Sequence, residues 1–280
     1  QWGFVDFNRP MVAINQWEQA EDSMYTLCGK DRIHPSTDGH LVMAYLFLKA
    51  QGLAGKPVAD IRIDGAGKKV TRSDNCRVSD LSVSSDNLTF TYEAKSLPYP
   101  IDTSYYDNEK HTQADALSVI PFMDEMNYEG LSVSGLSDGY YGLTIGGEFI
   151  GRFTARELER GINMALLQNT PQYKQAMKIR QMNEERWLKE RKMREFYWVE
   201  YNLMRKTGML WACNEAAVDT LRKYRPHDIF LQWNGDLWLQ YMHKGIREDC
   251  VNEQQDLVNQ IYEQNKPIPL RIEIKKFTDL

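Results

Sequence analysis

The sequence has only four cysteines in 280 residues, Cys28, Cys76, Cys213 and Cys250, with no CxxC pair and no Cys/His cluster at zinc spacing. That excludes the common structural zinc sites and gives no reason to expect a metal. Buried thiols are the default reading; one or two disulfides are the alternative and would suit an exported chain. No apolar run reaches the roughly 18–20 residues that span a bilayer. Basic excess is missing too: 34 Lys and Arg face 39 Asp and Glu, a net charge of −5. Nucleic acid and anionic membrane are therefore not expected as partners. Internal repeats and low-complexity segments are absent. The one glycine-rich stretch near a lysine, "DGAGKK" at 64–69, lacks the spacer and the Ser/Thr of a P-loop and reads as a turn. The sequence opens on Gln1 without a signal segment, which is read as a processed or cut N-terminus.

What is present suffices for a normal core, with 42% hydrophobic residues. Three regions differ in texture. Over 1–55, "GFVDF" reads as a short strand, Pro10 as the start of a helix, and Thr37 to Gln51 as a second helix. Ser36, Thr37 or Asp38 can cap that second helix and Gly52 can end it. Its interior, "LVMAYLFL", is apolar nearly all round and predicts a helix buried on several sides against a sheet. Over 56–153, alternation in "NLTFTYEA" and "GLSVSGL" and the Gly146-Gly147 pair between apolar runs predict antiparallel β structure with a two-residue hairpin. A long loop or partly helical insertion interrupts it. From 154 the chain reads as helical. Thr154 and Glu157 form a capping box, Pro171 starts a helix running to about Lys206, and "PIPLRIEIKKF" ends as an extended tail.

Chemistry concentrates in "GKDRIHPSTDGH", 29–40. A serine hydrolase needs an imidazole to take the hydroxyl proton and a carboxylate to fix the ring's tautomer. D-R-I-H places both on one tight loop, Asp31 within reach of Nδ1 of His34 and Nε2 left for a nucleophile. Alone, D-x-x-H is a weak signal. With the Pro, the Gly-His and the apolar helix behind it, "DRIHPSTDGHLVMAYLFLKAQGL" resembles the last block of the SGNH, or GDSL-type, hydrolases. "VDFNRPMVAINQ" is similar to the family's approach to that block. "LSVSGLSDGYYGLTIGGEFIGRFTARELERGINMALLQNTPQYKQA" resembles the C-terminal segment of a bacterial subgroup.

The resemblance implies an α/β fold, the C-terminal part of a three-layer flavodoxin-like domain over 1–55. A β-rich accessory segment over 56–153 and a helical segment with its tail over 154–280 follow. It implies Asp31 and His34 as acid and base of a Ser-His-Asp triad. His40, at the start of the following helix, reads either as a support of their loop or as a cap or packing histidine. The substrate would be a small acyl ester, acetylated carbohydrate included, with no cofactor and no metal, in a bacterial periplasmic or secreted setting. The family's Gly-Asp-Ser block and its Gly-x-Asn-Asp-type block do not occur, and "WNGD" at 233–236 has the wrong order and reads as a helix-boundary turn. The sequence therefore reads as an N-terminally truncated piece of a serine esterase, inert by itself. The other reading is a non-catalytic glycan- or protein-binding module with a relic Asp-His loop. His111, His227 and His243 have no partner at ligand spacing. In "EERWLKERKMREFYWVEY", 184–201, Glu185–Lys189 and Glu190–Arg194 are i, i+4 pairs of a solvated face. The aromatics Trp187, Phe196, Tyr197, Trp198 and Tyr201 are expected to pack between helices rather than to line a sugar groove.

Overall fold

A computed structural model describes residues 3–104 and 111–277. In chain order the elements are α1 (Asn8–Glu18), α2 (Thr37–Ala50), β1 (Ala59–Asp64), β2 (Lys69–Asp74), β3 (Cys76–Val83), β4 (Asn87–Ala94), α3 (Phe122–Glu125), β5 (Glu129–Ser134) and β6 (Tyr140–Ile145). They continue with β7 (Glu148–Thr154), α4 (Ala155–Arg160), β8 (Ile162–Asn163), α5 (Pro171–Val199), α6 (Glu215–Tyr224), α7 (Ile229–Tyr241), α8 (Lys244–Gln264) and β9 (Leu270–Lys276). The chain is mixed α/β and divides into two units, one of residues up to 176 together with those from 266, the other Met177–Asn265. No helix of the described residues is long and apolar enough to cross a membrane.

The first unit carries two sheets. One has the order β2-β1-β5-β8, the other β3-β4-β9-β6-β7. Their alternating inward residues meet in one core: Ile61, Ile63, Leu131 and Val133 from the first, Phe90, Tyr92, Leu143, Ile145, Ile272 and Ile274 from the second. This is the sandwich expected of alternating strands with one face buried. The pairing of β1 with β5 is parallel, so the β region is not purely antiparallel. The Gly146-Gly147 hairpin joins β6 to β7 with φ of +59° and +86°, the left-handed pair that such a turn requires. Thr154 and Glu157 form the capping box at the start of α4. "DGAGKK" is the β1–β2 turn, where Gly67 N–H donates to Asp64 Oδ1 at 2.8 Å.

Three local readings differ from the structure. "GFVDF" forms no strand, because a strand exists only where a ladder partner does, and it has none among the described residues. The ending read as a tail is β9, the middle strand of the five-stranded sheet, paired antiparallel to both β4 and β6. Its alternation of Leu270, Ile272 and Ile274 was the signal; its partners lie too far away in sequence to be read locally. The helix α2 does not pack on a sheet. Its Leu41, Val42 and Tyr45 join Leu27, Ala116, Ile120, Phe122 and Met123 in a separate small core, while Phe47 faces out. A polar clasp reinforces that packing: Tyr45 O–H and Lys49 Nζ both donate to Glu125 Oε2, each at 2.8 Å.

The second unit is helical. Its core includes Phe196, Val199, Met204, Leu221 and Trp238. After α5 the chain makes a π-helical turn, Glu200–Met204, and Gly208 (φ +75°) ends the run. Phe196 is buried and Trp198 packs against the same core, whereas Trp187, Tyr197 and Tyr201 are exposed, so the aromatic stretch is only partly core. The i, i+4 pairs form as expected, Glu190–Arg194 at 2.9 Å and Glu185–Lys189 at 3.8 Å.

Candidate active site

The Asp31–His34 loop is built on anchors from α1 and its C-cap residue, Gln19. Asn15 Oδ1 accepts from Leu27 N at 3.0 Å, and Gln19 Nε2 donates to Tyr25 O at 2.8 Å. The loop is closed at its base by a bridge between Cys28 and Pro35, with Gly29 N donating to His34 O at 2.8 Å and Ser36 N to Leu27 O at 3.0 Å. Arg32 turns the chain with φ +57°, a left-handed conformation that a non-glycine residue adopts only when its surroundings fix it. The helix start then seats on the loop. A Cβ on Gly39 would lie 2.0 Å from the Leu27 carbonyl oxygen, so the glycine of the Gly-His pair permits a backbone approach that no other residue allows.

Asp31 does two jobs. Its Oδ1 accepts from Ile33 N at 2.9 Å and His34 N at 3.1 Å, which shapes the turn. Its Oδ2 lies 2.5 Å from His34 Nδ1. The bond to the His34 ring, then the two backbone N–H groups, hold the Asp31 carboxyl down at about 2. A carboxylate only accepts, so the proton sits on Nδ1 and the Nε2 lone pair is open. The His34 side chain is 85% exposed, and Nε2 has no hydrogen-bond partner among the described residues. Among the described residues no hydroxyl or thiol hydrogen-bonds the ring there either. The arrangement can therefore accept a proton from a nucleophile brought to it and stabilise the resulting imidazolium.

His40 is exposed, with no side-chain hydrogen bond to Asp31 or His34 among the described residues. "WNGD" lies inside α7 rather than at a helix boundary, with Asp236 paired to Arg225 at 2.6 and 2.7 Å. His243 occupies the N-cap position of α8 without a side-chain capping bond, and its Nδ1 lies 3.4 Å from Cys213 Sγ. All four cysteines are free thiols, Cys76 and Cys250 buried. Among the described residues no group of three or more His, Cys, Asp or Glu could hold a metal ion. Sequence reasoning missed two pairs, that of His243 with Cys213 and one beside the candidate site. His111 Nδ1 lies 3.1 Å from Oδ2 of Asp38, a carboxylate that is 1% exposed. These residues are 73 positions apart, so no local spacing could reveal the pair.

Residues 177–266 match the family described as the diltiazem deacetylase C-terminal helical domain. The chain is also similar to the solved structure of a gut microbial diltiazem-metabolizing enzyme, 42% identical with a TM-score of 0.93. That likeness covers 99% of this chain and 62% of the other, so this chain spans less than two thirds of its neighbour's length. No curated protein matches the sequence.

Proposed function

We propose that this chain carries the acid–base half of an ester-hydrolysing deacetylase, with Asp31 and His34 as two members of a Ser-His-Asp triad of the SGNH type. The observation that carries the reading is the 2.5 Å contact between Asp31 and His34 Nδ1, with Nε2 left open. The family matched by 177–266 and the 42% identical neighbour, named for deacetylating and for metabolizing diltiazem, support the ester-hydrolysing part of the reading. In this mechanism a serine from an upstream α/β layer attacks an ester carbonyl and His34 Nε2 takes its proton. Asp31 holds the ring and offsets its positive charge, and the same imidazolium then protonates the leaving alcohol. Water repeats the cycle to release the acid. The names of the relatives favour an acetyl ester on a small drug-like molecule over an acetylated carbohydrate. An exported bacterial setting rests on the sequence resemblance alone.

Exposed apolar side chains on the loop and in the chain before it fit a covering layer. Phe4 is 84%, Trp17 79% and Ile33 74% exposed, and α1 buries no residue. The 280 residues by themselves are expected to be inert, since the base has no serine to activate. In the protein encoded with its upstream sequence, p-nitrophenyl acetate hydrolysis should fall roughly 10³- to 10⁴-fold in Asp31→Asn, because the ring loses its acceptor and its tautomer. Unchanged turnover in that variant rejects the triad.

A further inference from the structure

Asp38 sits one residue before Gly39, at the start of α2. Its Oδ1 accepts from Ser36 O–H and from Gly39 N at 2.8 Å. Both partners belong to the base of the Asp31–His34 loop: Ser36 N is bonded to Leu27 O, and Gly39 rests against that same carbonyl. The other oxygen of Asp38 is held from outside, by His111 Nδ1 at 3.1 Å. The described residues from His111 onward are themselves fixed. Thr112 N donates to Asp115 Oδ2 at 2.6 Å, starting a 3-10 turn, Gln113–Ser118, whose Ala116 is fully buried against the core of α2. Two ionisable groups nearby are raised in part by Asp38. The Tyr25 phenol is pushed up to about 12 by burial first and then by Asp38, Glu18 and Asp115. The Cys28 thiol is pushed up by burial, then by Asp31 and Asp38.

A carboxylate that is 1% exposed needs its hydrogen bonds satisfied on both oxygens, or it leaves the site. We propose that His111 is a positioning residue for the Asp31–His34 pair, acting through Asp38. The accessory segment thereby reaches across and locks the base of the loop. The inference rests on the deacetylase reading only for its purpose, since the brace itself is testable in this chain without any serine.

The test is amide hydrogen exchange and proton NMR of the 280-residue chain with His111→Ala, His111→Asn and Asp38→Asn. In His111→Ala, exchange at Gly29 and Ser36 should quicken roughly tenfold to a hundredfold, the range for losing a hydrogen bond to a buried charge. The Nδ1 proton of His34 should broaden through faster exchange with water, while amides of β9 stay unchanged. His111→Asn, whose amide nitrogen takes the place of Nδ1, should restore both signals. Loop exchange and the His34 signal at wild-type levels in both His111→Ala and Asp38→Asn overturn the brace. So does quickened exchange that spreads equally to β9. Failure of the deacetylase reading would show elsewhere, as esterase activity indifferent to His34 in the longer protein.

Discussion

Glu129 opens β5 fully buried, and its partners are few. Tyr92 O–H donates to Oε1 at 2.8 Å, and Gln172 Nε2 lies 3.2 and 3.3 Å from the two oxygens. Burial outweighs these donors and pushes the carboxyl from its ordinary 4.5 up to about 7. Between those values the folded chain holds a proton that the unfolded chain has released. Stability must then fall as pH rises, by about 1.4 kcal/mol per pH unit. Across the whole interval the loss is about 3 kcal/mol. Glu129→Gln removes the ionisation and keeps the shape. Its oxygen still accepts from Tyr92, and once the Gln172 amide turns over its amide can donate to the Gln172 oxygen, a buried atom that now has no partner. The variant should match wild type near pH 4 and exceed it by about 3 kcal/mol at pH 8. Urea unfolding read by exchange of the β4 and β5 core amides, at pH 4, 6.5 and 8, measures the difference and cancels every other titrating group. A difference that stays flat across this range would refute the reasoning, for it would mean that Glu129 titrates alike in both states.

Gly39→Ala should cost about 3 kcal/mol, because its Cβ would collide with the Leu27 carbonyl and break the seat of the Asp31–His34 loop; thermal unfolding of the first unit checks it. Glu200→Ala should destabilise the helical unit by about 3 kcal/mol, since Glu200 accepts from Trp211 N and from the buried Trp238 Nε1, both at 2.8 Å. Trp211, held there at φ +63°, should relax, and tryptophan fluorescence should report the change below the unfolding midpoint.

How much was legible depended on range. Features decided within a turn were read correctly: the capping box at Thr154 and Glu157, the Gly146-Gly147 hairpin, the start and stop of α2, and the reach of Asp31 to His34 Nδ1. Features decided by distant pairing were not. β9 looks like a tail because the strands that flank it lie more than a hundred residues earlier in sequence. The run "LVMAYLFL" overstated burial because apolar composition shows what could be covered, not what covers it, and Phe47 stays 47% exposed. At the candidate site, the Asp31–His34 pair was visible because one loop carries both. The Asp38–His111 pair was not, because half of it comes from another segment.

The central claim is that Asp31 and His34 activate a serine. The most direct measurement is covalent labelling of the protein with its upstream sequence by a fluorophosphonate, which reacts only with a serine whose proton a base removes. The account predicts one labelled serine, upstream of these 280 residues, and a labelling rate that falls at least roughly a thousandfold in His34→Ala. Labelling at the wild-type rate in that variant would contradict it.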